Sequence, residues 1–227
     1  MYMYKIGDLC NLFHNELITA CWSFYGWKNI KKIASTDKEI RTAINKNTIS
    51  WSIILHSLQI TFFITLGRIF DKDERSFSVH TLINTCIKNI DQFSKEKLRE
   101  RKIKGWNQDD ISWVDEYIEN SYQPKVNDFL NLQIEIEKKH ILYELNYKPI
   151  RHKIFAHKDL KKIKNVKDLF SKVNILEAEE ILCFLYQIER IIWTLYYNGR
   201  LERIGYYKYN EEENVVRDIG LLLNKIK

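Results

Sequence analysis

The chain has 227 residues, with 36 basic and 30 acidic side chains and a formal net charge of +6. Its 45% hydrophobic and 13% aromatic content excludes a disordered polypeptide, and its length buries a substantial core without disulfides or metals. Two prolines and seven glycines are too few for the turns of a strand-rich fold, so long helices are expected, and the small basic excess permits nucleic-acid binding without demanding it.

The opening Met1-Tyr2-Met3-Tyr4-Lys5 lacks the apolar stretch of a secretory signal. Cys10, Cys21, Cys86 and Cys183 form no CxxC and no Cys/His pair at zinc-finger spacing. They read as small buried apolar residues of a protein in the reducing cytoplasm. An amphipathic helix is expected from about Ile6 to Ile33, where Leu9, Leu12, Phe13, Leu17 and Ala20 recur at three- and four-residue spacing. Ser35, Thr36 and Asp37 are N-cap candidates for a second helix from Lys38 to Phe70, whose Ile53, Ile54, Leu58, Phe62 and Leu66 are expected in the core. Its apolar stretch, Ser50 to Phe70, is interrupted by Ser52, His56, Ser57, Gln59 and Arg68. It therefore reads as a core helix with His56 hydrogen-bonded inside, and no membrane association is expected.

Asp71 to Ser76 breaks the pattern and reads as a loop. Ser78 then caps a short helix with Val79, Leu82, Ile83 and Ile87. The basic run KEKLRERKIK reads as a solvated helix face. A helical pattern resumes at about Asp109 and breaks at Pro124, after which Phe129, Leu132, Ile136 and His140 share a face. Asn146-Tyr147-Lys148 reads as a helix end and Pro149 as the start of the next helix. Asn174 and Glu177 have capping-box spacing. The helix behind them carries the stripe Ile181, Leu185, Ile188, Ile192 and Leu195, and Asn198-Gly199 stops it. Glu211-Glu212-Glu213 leads into a short terminal helix. No repeat or linker divides the chain, so a single all-α domain over residues 1–227, with a bundle at its centre, is expected.

The chemistry concentrates in Arg151-His152-Lys153-Ile154-Phe155-Ala156-His157-Lys158-Asp159. Arginine clamps phosphate with parallel hydrogen bonds, and histidine exchanges a proton near neutral pH. Ribonucleolysis without a metal needs both. A base or acid moves protons at the 2′- and 5′-oxygens, and a cation stabilises the phosphorane. Arg151 is the candidate for charge stabilisation and His157 for proton transfer. His152 and Lys153 are candidates for substrate binding. Residues six apart on an ideal helix differ by about 120° in azimuth, so Arg151 and His157 need not converge within one straight helix. An irregular turn after Pro149 or a two-fold dimer that pairs two copies of the segment would bring them together.

These residues resemble the signature of the HEPN superfamily: an arginine, a polar residue, then a histidine a few positions on, matched by Arg151, His152 and His157. The string RHKIFAHKD, with LGRIFDKDERSFSVHTLI from Leu66 to Ile83, is similar to the branch of U2-type abortive-infection proteins. The polar position is often asparagine or aspartate there, and here it is His152. The resemblance implies an all-α, HEPN-like helical bundle with additional helices. It also implies metal-independent endoribonucleolytic activity with no cofactor, in a homodimer that acts on RNA as a toxin or anti-phage effector, sometimes held by a cognate antitoxin protein. The alternative is a catalytically inactive module of the same fold that binds RNA, nucleotide or a partner protein.

Arg68 and Asp71, with Asp73, Glu74 and Arg75, read either as a substrate-positioning or partner surface or as a helix end with local ion pairs, the second being favoured. His80 and His140 read as structural. Tyr196, Tyr197, Tyr206, Tyr207 and Tyr209 lie near Arg200, Arg203 and Lys208, a pattern that packing explains as well as base stacking does, and no site is assigned there.

Overall fold

The structure, a computed structural model, describes residues 5–73, 75–104, 112–152, 174–205 and 211–226. It is all-α, with no strand among the described residues. The helices are α1 (Ile6–Thr36), α2 (Lys38–Lys46), α3 (Thr48–Ile69) and α4 (Val79–Lys88). After a 3₁₀ turn at Ile90–Phe93 come α5 (Lys95–Ile103), α6 (Ser112–Glu119) and α7 (Val126–Leu142). A π turn (Tyr143–Tyr147) leads into the single turn α8 (Lys148–Ile150), followed by α9 (Ile175–Asn198) and α10 (Glu211–Asn224). These elements form two compact units. One comprises Met1–His14, Phe70–Ile141 and Cys183–Tyr207, and the other Asn15–Ile69, Leu142–Leu182 and Lys208–Lys227.

Capping residues start the helices as the sequence predicts. The Asp37 carboxylate accepts from the N–H groups of Glu39 and Ile40 at 2.9 and 3.1 Å. The Ser78 hydroxyl accepts from Thr81 N–H at 3.3 Å. Each cap contributes about 1 kcal/mol. The expected single helix from Lys38 to Phe70 is instead two, divided at Asn47. That residue leaves helical geometry (φ −122°, ψ 46°), and its side chain turns back onto the Ala43 carbonyl at 3.4 Å. Asparagine competes for local backbone groups in this way, which favours helix ends over interiors.

In the second unit the later half of α3 is core. Phe62, Phe63, Leu66 and Ile69 are buried, and Phe62 packs on Phe24 at 5.1 Å between ring centroids. The earlier half corrects the sequence reading. Ile53 and Ile54 are exposed, Ile53 at 62% and Ile49 before it at 77%, and His56 lies on the exposed stretch instead of in a core. By length and composition alone α3 is long and apolar enough to cross a membrane, with 22% of its apolar window buried. Lys28 of α1 donates to Glu179 of α9 and, at 3.1 Å, to Glu212 of α10.

In the first unit Phe129, Leu132, Ile136 and His140 of α7 are buried along one face, as their spacing predicts. Phe93 lies against Phe129 at 4.8 Å. The α9 stripe is buried, Leu185, Ile188, Ile192 and Leu195 in this unit and Ile181 in the second. Gly199 ends α9 in the left-handed region (φ +55°), and an added Cβ would fall 2.5 Å from Leu98 Cδ2 and 2.9 Å from Ser121 Cβ. Only glycine meets both demands. The basic α5 is more than a solvated face: Arg101 lies 4.1 Å over the Tyr196 ring and donates to the Tyr196 and Gln92 carbonyls. Cys10 and Cys86 are buried. Burial, reinforced by the Glu189 carboxylate, pushes the Cys10 thiol up to about 12, and burial with Cys10 nearby holds Cys86 well above its ordinary value. Thiols held in the protonated form are inert fillers of the core.

His80 and His140 meet ring to ring, with Nε2 of one 3.0 Å from Nδ1 of the other, beside the Lys72–Glu137 ion pair at 2.7 Å. Burial, His140 and Lys72 push the His80 pKa from 6.5 down to about 4. The unfolded chain then binds the extra proton first, so the contribution is intact above pH 6.5 and lost as pH falls from 6.5 to 4. Discounted for the ring's residual exposure, the loss is about 1–2 kcal/mol. Urea unfolding at pH 7 and pH 4.5 should register it, and His80→Gln should flatten the slope in that window. An unchanged slope in the variant would place the acid sensitivity elsewhere.

Candidate functional site

The segment before the motif does not end one helix and begin another, as the sequence suggested. The helical path runs on from α7 through Pro149. The Lys148 N–H donates to the Tyr143 carbonyl, five residues back, which widens the turn. Proline has no N–H, and in a regular α-helix its ring collides with the carbonyl four residues earlier. A turn with one extra residue accommodates it, and such turns recur at functional sites. The widened geometry returns at Arg151 and His152.

This path lays the Arg151 side chain on α3 at Gly67. A Cβ added at Gly67 would come 2.5 Å from Arg151 Nε and 2.8 Å from Cζ, so the absent methyl is the space the guanidinium stem occupies. Ile150 and Tyr147 on the same path are buried, and Tyr147 packs on Phe62 and Phe63 at 6.5 and 6.1 Å. Burial, with the Glu177 and Glu180 carboxylates, holds the Tyr147 phenol well above its ordinary range, so it stays protonated.

The surrounding charges are matched, with one difference at Arg151. Lys148 donates to Glu144 at 2.7 Å. Arg68, next to Gly67, is clamped by Glu16 at 2.8 and 2.9 Å and reaches Thr65 at 3.3 Å. Asn146 donates to Glu177 at 3.1 Å, so Glu177 serves this contact while Asn174 caps α9 through the Leu176 N–H at 2.9 Å. Arg151 pairs with no described carboxylate, and its Nε is buried without a hydrogen-bond acceptor among the described residues. An unsatisfied buried donor costs about 1–3 kcal/mol, and one on an arginine is suited to an arriving oxyanion.

The sequence-predicted set is thus partly placed. Arg151 sits on Gly67, and His152 follows it, exposed. Lys153 and His157 lie outside the described residues. Arg68 pairs with Glu16 of α1 instead of with the acids that follow it, while in the first unit Asp73 pairs locally with Arg75 at 2.7 Å. Sequence reasoning missed Gly67, although it is the one residue without a side chain in the mostly buried run FFITLGRIF.

Among known proteins, no curated protein matches the chain, and no solved structure does. The family model for AbiU2 of the HEPN type matches residues 3–217, nearly the whole chain and both compact units as a single domain. With its all-α architecture and the motif arginine seated on α3, the chain belongs to the HEPN AbiU2 family, whose type suggests an abortive-infection or toxin-like role.

Proposed function

We propose that the protein is a metal-independent endoribonuclease acting as a toxin or abortive-infection effector. The observation that carries this reading is the buried Nε of Arg151 on Gly67, without an acceptor among the described residues. A guanidinium packed by its stem and paired with no described carboxylate is suited to phosphate, and preorganised charge is usually the largest contribution to catalysis. In this reading the 2′-oxygen loses its proton and attacks the adjacent phosphorus. The bond from phosphorus to the 5′-oxygen breaks, and the 5′-oxygen takes up a proton. The products are a 2′,3′-cyclic phosphate and a 5′-hydroxyl. His157 carries a proton in this exchange, Arg151 holds the phosphorane, and His152 and Lys153 bind substrate. The family membership supports the role, and the net charge of +6 is compatible with an RNA substrate.

The functional unit in this reading is a homodimer, with an antitoxin protein as its cognate partner. The exposed isoleucines of α3 favour a second copy, because contiguous apolar surface on a soluble chain marks an interaction face. The test is cleavage of total and defined single-stranded RNA, with chelator present, by wild type and His157→Ala. Chelator-resistant products ending in cyclic phosphate are expected from wild type, with a loss of about 100-fold or more in the variant. Equal cleavage by both proteins would remove His157 from the mechanism.

A further inference from the structure

The first unit contains a cleft lined by neither of the motif's described residues, Arg151 and His152. Two hollows, of about 610 and 370 Å³, share Asn198 and Arg200 in their walls. Each has the size of a small-molecule site. The smaller is walled by Trp113 and Tyr117 of α6, with Asn120 and Ser121 beyond them; the larger runs along α9 past Trp193 to His14 and Glu189. Trp113 and Trp193 are 41% and 42% exposed, so both ring systems are left partly unburied at the cleft. Trp113 stands edge-on to Tyr117, with centroids 5.8 Å apart.

The hydrogen bonds in the smaller hollow hold a fixed frame. The Tyr117 hydroxyl donates to the Asn198 carbonyl at 2.8 Å, and Lys102 donates to Asn198 Oδ1 at 2.9 Å, so among the described residues the Asn198 amide N–H groups are left for a ligand. Asn120 donates to the Glu116 carbonyl at 3.0 Å, which leaves its side-chain oxygen as an acceptor. The left-handed turn at Gly199 brings Arg200 back over the Tyr117 ring, 5.9 Å from its centroid. The nearby Glu202 carboxylate is already clamped by Arg190 at 2.7 and 3.2 Å, and no described carboxylate pairs with Arg200. Glu189 is held by His14 at 3.5 Å.

Aromatic faces, a donor and an acceptor on fixed amides, and Arg200 with no described carboxylate on it match one chemistry. We propose that this cleft binds an unpaired nucleotide, with the base against Trp113 and Tyr117 and one phosphate on Arg200. Stacking on aromatic side chains with an arginine beside them is how unpaired bases are gripped. Glu116, Glu189 and Glu202 also line the cleft, so it does not gather a run of phosphates. Its salt dependence is therefore shallow, a slope of about −0.7 in log affinity against log salt for one phosphate on a single strand. The ligand is a free mononucleotide or one unit of a single strand. None of these residues belongs to the unit that holds Arg151, and the inference stands whether or not the chain cleaves RNA.

The test uses two probes that cannot be cleaved at a 2′-hydroxyl: AMP by calorimetry and a fluorescein-labelled 2′-O-methyl adenosine hexamer by anisotropy. Wild type, Trp113→Ala and Arg200→Gln are compared at 50 and 200 mM salt, each with its helical circular dichroism checked. Binding of both probes, about tenfold weaker in either variant, places a mononucleotide in the cleft. Binding of the hexamer alone with the same loss and a shallow slope assigns a strand. No binding of either probe at millimolar concentration, binding indifferent to both substitutions, or a slope of several units would overturn the proposal. Cleavage by wild type and His157→Ala is scored separately, so failure here leaves the ribonuclease reading untouched, and the reverse holds.

Discussion

Arg151→Met is expected to lower RNA cleavage by about 100-fold or more while leaving the melting temperature unchanged or a few degrees higher. The two effects have separate causes. Methionine keeps an unbranched apolar stem to lie on Gly67, so the packing against α3 survives. It removes a buried Nε without an acceptor among the described residues, and such a group costs the folded state about 1–3 kcal/mol. It also removes the only planar fork in the motif able to hold two phosphate oxygens, which an oxyanion site cannot lose cheaply. A residue that merely packs predicts the opposite pattern, a lower melting temperature with activity falling only as the folded fraction falls. Thermal melts and initial cleavage rates on the same preparations separate the two. Arg151→Lys should fall between, since it keeps the charge and loses the fork. Gly67→Ala should resemble Arg151→Met in activity, because its methyl takes the space of the guanidinium stem.

The fold was legible where burial and periodicity coincide. Phe129, Leu132, Ile136 and His140 on α7 and the α9 stripe are buried at the positions their spacing predicts. Asp37 and Ser78 cap the helices that their side chains suggest. Periodicity failed on α3, because an apolar pattern states that a face is sticky and not what covers it. Ile49 and Ile53 continue the pattern of Phe62 and Leu66 yet face outward. Local chemistry misled at Pro149 for a related reason. A proline after a polar triplet ordinarily starts a helix, and only the five-residue hydrogen bond at Lys148 lets the helix run through it. Arg151 was legible as a cation beside histidines, but its strength as a site lies in what it lacks. A missing methyl at residue 67 and the lack of an acceptor for Nε among the described residues are long-range facts that no spacing in the motif encodes. The Arg200 cleft was half visible for the same reason: its arginine stood among tyrosines in the sequence, while Trp113 came from 87 residues earlier in the chain.

Mixing two inactive variants, Arg151→Met and His157→Ala, is expected to restore about one quarter of wild-type cleavage if each cleft of a homodimer takes its arginine from one chain and its histidine from the other. Random exchange makes half of the dimers mixed, and each mixed dimer then has one cleft with both residues intact. A site whose two residues come from a single chain gives no recovery, because every chain carries one lesion. The experiment thus decides between the two ways in which residues six apart, about 120° around an ideal helix, can act together. The isoleucine face of α3 supplies the control. Ile49→Asp with Ile53→Asp places charge on side chains that are exposed in the single chain, where surface substitutions usually change stability by no more than about 0.5 kcal/mol. In a dimer that buries this face the same carboxylates lose their water without a partner, so the variant should run as a monomer in light scattering at an unchanged melting temperature. Adding these two substitutions to both inactive variants should then abolish the recovery. Recovery that persists would place the dimer contact on another face, and wild type that runs as a monomer and cleaves would require the irregular turn around Pro149 to assemble the site within one chain.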